Sequence, residues 1–265
     1  DDLLLVWPDP YRLRPDRLLQ GLDATLGPVP VAGAAASGRP AGGGTFQFSG
    51  AECGRGAVSG IRLGGRFRYR VAITQGCRPL GESVTVTRAH ENLILEVDGR
   101  PALQVLQERA PGALTRDLES GLPYLFVGLL PDAETSEIGE RDYWVRNISA
   151  ADPDTGVLAI GDRVEEGQSV VFALREGEAA RRDLFRMLAE IRAESEGNAY
   201  RLGFYFNCLA RGRSLYREDG VDAALIREHL PDVPLLGFFG NAEIAPLRGV
   251  NRLLTYSGVL VLIGD

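Results

Sequence analysis

Apolar residues along this chain fall into short continuous runs, short alternating runs and a few stretches with helical spacing, and their order repeats. Leu3-Leu4-Leu5-Val6-Trp7 is a continuous apolar run closed by Pro8-Asp9-Pro10, the pattern of a strand buried on both faces and then stopped. From Pro15, Leu18, Leu19, Leu22 and Leu26 recur at helical spacing until Gly27-Pro28 ends the pattern. Val29–Val31 restarts a strand, and Ala34-Ala35-Ala36-Ser37-Gly38 predicts a small-residue loop. Thr45–Phe48 and Ala57–Leu63 then predict two closing strands.

The same order returns near the other end. Leu202–Phe206 predicts an apolar strand, and Val221, Leu225, Ile226 and His229 mark an amphipathic helix that Pro231 breaks. Val233–Phe239 is the next strand, Gly237–Pro246 a loop with a carboxylate and an amide between two glycines, and Leu253–Tyr256 and Gly258–Ile263 close the unit. Local wording matches too, with Gly27–Gly33 against Pro231–Gly237 and Val58-Ser59-Gly60 against Tyr256-Ser257-Gly258. The pattern predicts an α/β (α+β) fold of internally duplicated strand-helix-strand-strand-strand units, forming mixed or antiparallel sheets flanked by helices, with ligands favoured where the halves meet.

Between the repeats the chain reads as hairpins: Phe67–Ile73, Ser83–Ala89, Leu93–Val97 before the turn pair Asp98-Gly99, Tyr124–Leu130, Tyr143–Ile148 and Gln168–Leu174. Pro101 stands at a helix start. Glu176–Arg192 is the long helix, apolar at Ala180, Leu184, Met187, Leu188 and Ile191 and charged on its other side. The expected organisation is a first repeat unit over 1–64, a central β-rich region over 65–175, and a long helix with the second unit over 176–265.

Composition narrows the chemistry. The 265 residues are 45% hydrophobic, enough to bury a sizeable core, and the net charge is -7. An acidic chain has no surplus for neutralising phosphates, so nucleic acid is not an expected partner. Every basic residue other than the two histidines is arginine, because the chain contains no lysine. That excludes a P-loop and a Schiff-base site, each of which needs the amine. Three scattered cysteines and two histidines are too few for an ordinary zinc site, and no metal or cofactor is expected. The longest apolar run, Gly258–Ile263, is far short of the roughly 18 residues a membrane span needs. A soluble, cytoplasmic protein without membrane insertion is expected, and the start at Asp1-Asp2 without an initiator methionine suggests that an upstream part has been removed.

Two cysteine turns stand out. Phe206–Arg213 follows a buried strand, placing Asn207 and Cys208 at the strand end where α/β sheets tend to hold binding groups. Arg211 then supplies a forked donor for a carboxylate, Gly212 a tight turn, and Cys208 a soft or reactive neighbour. Thr74–Gly81 echoes it with Cys77 and Arg78 in a preset turn. Glu243 and Asn241 are polar partners in the Gly237–Pro246 loop. Glu243 opposite Arg211 would complete a plus and minus pair spaced for a zwitterion. The plain alternatives are a small buried thiol, a hairpin connection and a solvated glutamate. His229 reads as a core or helix-end residue, His90 as part of a turn, and Gly42-Gly43-Gly44 as a flexible loop. No G-x-S-x-G, H-E-x-x-H or G-x-G-x-x-G pattern follows a strand, so no catalytic residue is assigned and an enzyme is not expected.

These motifs in this order resemble the FIST family, named for F-box and intracellular signal transduction proteins. The resemblance is carried by Pro8-Asp9-Pro10, Ala32-Gly33 to Ser37, Gln75–Gly81, Leu95–Ala102, Cys208–Gly212 and Gly237–Pro246, and covers nearly the whole chain. It implies a sensory domain binding small ligands such as amino acids, alone or joined to signalling partners. In F-box proteins it implies protein recognition. Ala32, Ala210 and Ala242 stand where the family commonly has glycine, each adding a methyl to what reads as a tight loop. Family members also commonly carry a segment ahead of the Pro8-Asp9-Pro10 strand, whose absence would leave a site built on it incomplete. The leading expectation is a small-ligand sensor using Cys77, Arg78, Asn207, Cys208, Arg211, Gly212, Asn241 and Glu243. The alternatives are a protein-recognition scaffold and a cysteine-dependent enzyme, the last requiring a depressed thiol pKa.

Overall fold

The computed structural model describes residues 2–38, 44–131, 143–194 and 200–265, so Gly42 and Gly43 of the glycine run lie outside the described residues. Its elements begin with β1 (Asp2–Pro8), α1 (Pro15–Leu26), β2 (Val31–Ala35), β3 (Gln47–Ser49), β4 (Glu52–Gly54), β5 (Val58–Gly64) and β6 (Arg68–Gln75). Next come β7 (Cys77–Pro79), β8 (Val84–His90), β9 (Leu93–Val97), β10 (Arg100–Pro101), α2 (Ala102–Arg109), α3 (Gly112–Thr115) and α4 (Leu118–Gly121). They are followed by β11 (Leu125–Leu129), β12 (Trp144–Asp152), β13 (Val157–Ile160), β14 (Ser169–Arg175) and α5 (Gly177–Glu194). The chain ends with β15 (Tyr200–Cys208), α6 (Arg213–Tyr216), α7 (Val221–His229), β16 (Leu235–Gly240), β17 (Ala242–Leu247), β18 (Val250–Leu254) and β19 (Ser257–Gly264). Mixed α and β structure agrees with the expected class. The chain divides into two compact units, one of residues 1–75 with 181–265 and one of residues 76–180.

The first unit contains two larger sheets, ordered β18-β17-β2-β1-β5 and β16-β15-β19-β6, and the β3-β4 pair. In the first sheet β1 runs parallel to β2, with Val6 opposite Gly33, and antiparallel to β5. In the second, β15 runs parallel to β16, with Tyr205 opposite Gly237, and antiparallel to β19. The two glycines have the same reason to be there. A Cβ at Gly33 would sit 2.0 Å from the Val6 carbonyl oxygen, and one at Gly237 1.9 Å from that of Tyr205, so only glycine permits the close backbone approach.

The strands are nonetheless shared between the two segments. β17 and β18 leave the second segment's sheet and extend the first, β17 lying antiparallel to β2 with Glu243 opposite Ala34. β6 pairs with β19 from Ser257↔Gln75 to Gly264↔Arg68. Two loop expectations are corrected by this arrangement. Ala34-Ala35 belongs to a fully buried strand, because β17 and β1 flank β2 on both sides and small side chains fit the space. Ala242–Leu247 is a strand too, although it contains a proline. Pro246 stands beyond Ile244, the last residue paired with β2, where a missing N–H costs that ladder nothing.

The cores follow the predicted apolar stripes. Leu19 of α1 packs with Val6, Val31 and Ile244. Leu184, Met187, Leu188 and Ile191 of α5 pack with Tyr205, Ile226, Leu260 and Leu262. Asp9 of the Pro-Asp-Pro motif is buried and ties the turn after β1. One of its oxygens accepts the Tyr11 N–H at 2.9 Å and the other the Gly56 N–H at 3.0 Å.

The second unit is an eight-stranded sheet following β10-β9-β13-β12-β11-β14-β7, with β8 joined to β14 and β9. The predicted Asp98-Gly99 turn has φ of 48° and 71°, positive at both central positions as a tight hairpin turn requires. His90 ends β8 rather than lying in a turn, and the turn itself falls at Glu91-Asn92. No helix among the described residues is long and apolar enough to cross a membrane.

Candidate functional site

Side chains alternate along β15, so neighbours on it face opposite ways. Tyr205 and Asn207 reach Asp222 on α7, whereas Phe206 packs edge-on against Trp7 and Phe238. This alternation divides the predicted site. Asn207, Arg211 and Gly212 line a cavity of about 250 Å³, together with Asp222, Tyr216 and the apolar residues Leu235–Phe239 of β16.

The polar end of that cavity is built around a buried ion pair. Arg211 is 0% exposed, and its Nε donates to Asp222 Oδ2 at 3.1 Å. The same oxygen accepts the Tyr205 hydroxyl at 2.8 Å and Asn207 Nδ2 at 2.9 Å, while Arg211 Nη2 donates to the Tyr216 hydroxyl at 2.8 Å. Gly220, with φ of 73°, turns the chain into α7 and sets Asp222 in the helix's first turn, where the helix dipole favours a carboxylate. Burial works to raise the Asp222 pKa, but the charge of Arg211 and the surrounding donors outweigh it and hold the carboxyl below its ordinary value. Burial pushes the Tyr205 phenol well up, with the Asp222 charge adding to it.

Two buried polar atoms in this cluster have no hydrogen-bond partner among the described residues: Arg211 Nη1 and Asn207 Oδ1. One is a charged donor and the other a neutral acceptor. Buried polar atoms are normally satisfied, and each left unsatisfied carries a cost of about 1–3 kcal/mol.

Cys208 and Glu243 form a different cluster. Glu243 is 0% exposed in β17, and its Oε2 accepts the Ser257 hydroxyl at 2.8 Å. Cys208 Sγ accepts the Tyr256 N–H at 3.3 Å. Burial pushes the Glu243 carboxyl to about 8, against the lowering influence of Ser257, Arg211 and Cys208. Burial and then the Glu243 charge push the Cys208 thiol up to about 12, the opposite of what a thiolate nucleophile needs. The partner of Arg211 is therefore Asp222, and the expected Arg211–Glu243 pairing is corrected. Glu243 sits mid-sheet, bonded to Ser257.

Asn241 is exposed between β16 and β17, with its N–H bonded to Ala35 O at 2.9 Å and its amide to the Tyr11 hydroxyl at 3.3 Å. Cys77 and Arg78 belong to the second unit, on β7. Cys77 is buried, its carbonyl accepting the Tyr143 hydroxyl at 2.9 Å, and Arg78 is ion-paired with Glu176. His229 ends α7, with Nδ1 at 2.9 Å from Leu225 O and its ring edge-on to Phe185. Among the described residues no group of three or more His, Cys, Asp or Glu is placed to hold a metal ion. Sequence reasoning missed Asp222, Tyr205 and Tyr216. Asp222 reads as an ordinary acid in a helix's first turn and Tyr205 as one more apolar strand residue; the signal available was the Gly220-Val221-Asp222 helix start so soon after Arg211.

Comparison with known proteins agrees with the motif pattern. The FIST N domain matches residues 1–100 and the FIST C domain residues 102–246, a boundary that falls inside the second compact unit. The chain is 34% identical over 264 residues to an uncharacterized protein of Mycobacterium tuberculosis, covering 100% of this chain and 68% of that protein. An uncharacterized protein of Mycobacterium bovis is 34% identical over 265 residues, with the same coverage. F-box only protein 22 of Homo sapiens is 32% identical over 107 residues, covering 40% of this chain and 26% of that protein. With both domains matched across most of its length, this chain belongs to the FIST family.

Proposed function

We propose that the chain is a sensory, small-ligand-binding module of signal transduction whose ligand is an amino acid or a related carboxylate, held in the cavity between β16 and α7. FIST domains are associated with sensory roles in signal transduction. The observation that carries the finer reading is the pair of unsatisfied atoms, Arg211 Nη1 and Asn207 Oδ1, on residues lining that cavity. Both atoms are buried, so binding has to uncover them; a ligand carboxylate would then take the guanidinium N–H and a ligand ammonium the amide oxygen. Asp222 already balances Arg211, so a ligand carrying both charges suits the site better than a bare anion. Leu235, Leu236, Phe238 and Phe239 offer an apolar wall for the ligand's side chain. At about 250 Å³, the cavity falls just below the roughly 300–1,000 Å³ that drug-sized ligands occupy, which suits a single small metabolite.

Thermal unfolding against a panel of free L-amino acids and their carboxamides tests this. A ligand at about 100 times its Kd stabilises by about 2.7 kcal/mol, an increase of roughly 5–10 °C in Tm for a chain of this size. Free amino acids should produce the shift and the carboxamides should not. No shift at millimolar concentration would overturn the proposal.

A further inference from the structure

Which β16 side chains face the cavity follows from the register of β16 with β15. Tyr205 and Asn207 reach Asp222 on α7, and their register partners are Gly237 and Phe239, while Leu235 stands opposite Gly203. Alternation along the strand places Leu235, Gly237 and Phe239 on one face, so the two apolar side chains flank the cavity with the glycine between them. The contacts agree: the Phe239 ring lies 3.4 Å from where a Cβ on Gly212 would stand, and Leu235 lies over Gly203. Gly237 cannot take a side chain, because its Cβ would lie 1.9 Å from the Tyr205 carbonyl oxygen. The result is a slot about 13 Å from end to end, at roughly 3.3 Å per residue, with bare backbone between Leu235 and Phe239. Those two residues are 38% and 45% exposed. Arg211 and Asn207 stand at the Phe239 end, since Asn207 is opposite Phe239 and Arg211 immediately precedes Gly212. Glu218, which also lines the cavity, is ion-paired with Arg181 at 3.0 Å.

We propose that the ligand is an amino acid with a long apolar side chain, its charged end at Arg211 and Asn207 and its side chain lying along Gly237 towards Leu235. This inference rests on the amino-acid reading of the cavity and names the class within it. An apolar side chain in the slot covers the exposed surface of Leu235 and Phe239, and removing apolar surface from water is favourable in proportion to its area. A polar side chain in the same place loses its water against two apolar walls. An acidic one meets the carboxylates of Glu218 and Asp222 as well, while Arg211 is already balanced by Asp222. A basic one finds Glu218 already held by Arg181. Gly237 therefore acts twice: its missing side chain permits the close approach of β16 to β15 and leaves the room that the ligand's side chain fills.

Thermal unfolding of the whole chain with the straight-chain series L-alanine, L-α-aminobutyrate, L-norvaline and L-norleucine tests the class. The concentration that produces a fixed rise in Tm should fall about fourfold with each added methylene, or about 60-fold across the series. L-Aspartate, L-glutamate and L-lysine should be no more effective than L-alanine. Leu235→Ser should flatten the gradient, with its ligand-free melt showing that it folds; should it not fold, the parent series still decides the class. Equal effects across the series, or larger ones from glutamate or lysine, would overturn the apolar class and leave the amino-acid reading intact. An unchanged gradient in folded Leu235→Ser would overturn the placement along Gly237. No rise with any amino acid would overturn the reading of the cavity and this inference with it.

Discussion

Arg211 and Asp222 form an ion pair at 3.1 Å, both at most 4% exposed, and the side chains of Tyr205, Asn207 and Tyr216 converge on it. The pair is formed by a loop arginine and a residue in the first turn of α7, so it links the end of β15 to the helix that covers it. Arg211 Nη1 and Asn207 Oδ1 beside it have no hydrogen-bond partner among the described residues.

Breaking the pair from one side should be costly. Asp222→Ala leaves the Arg211 charge buried without its partner and should destabilise by about 3–5 kcal/mol. Replacing both with apolar residues should cost less than that. Urea unfolding of the single and double variants measures the difference.

The same carboxylate sets an acid limit. Its folded pKa lies below the ordinary value, so its stabilisation is complete above the unfolded pKa of about 3.9. As pH falls below that, the unfolded chain binds the proton first, and stability is lost down to the folded pKa. Stability measured from pH 6 to about pH 2.5 should show this loss, and Asp222→Asn should remove that component.

Glu243 has the opposite sign. With a folded pKa of about 8 against an unfolded value of about 4.3, the folded state holds its proton more tightly. Its contribution is most favourable below the unfolded value and falls as pH rises towards 8. Glu243→Gln should therefore gain stability relative to the parent as pH increases across this range, each pKa unit corresponding to about 1.4 kcal/mol. Equal pH profiles would show that Glu243 is not protonated in the folded state.

The cysteines should separate by reactivity. Cys53 is exposed, while Cys208 is buried with its thiol pushed up to about 12. Iodoacetamide near neutral pH should label Cys53 first and reach Cys208 only on unfolding, as read by peptide mass spectrometry. Rapid labelling of Cys208 in the native protein would contradict the described environment.

Gly33→Ala and Gly237→Ala should each destabilise by about 3 kcal/mol or more, because the added Cβ would overlap a neighbouring carbonyl oxygen. Gly21→Ala, with nothing within 4 Å of its new methyl, is the matching control. Thermal melts of the three variants decide it.

Periodicity alone located most of the elements of the first unit, because an apolar run or a stripe at helical spacing is a property of consecutive residues. It recovered β1, α1, β15, α7 and β19, the buried stripe of α5, and the glycine turn at Asp98-Gly99. The motif order also identified the family. The cavity-lining residues Asn207, Arg211 and Gly212 drew notice in the sequence because each stands at or just past the end of a recognisable strand. What consecutive residues could not determine was which strands become neighbours. β17 was hidden by its proline and its glutamate, and only its position between β18 and β2 makes it a buried strand and gives Glu243 its raised pKa. Asp222 became the partner of Arg211 through the crossing of α7 over β15, while strand alternation turned Cys208 away from Asn207. Hydrophobic pattern specifies which face of an element is buried; the partner across that face, and with it the charge and hydrogen bonding of the site, is set by long-range packing.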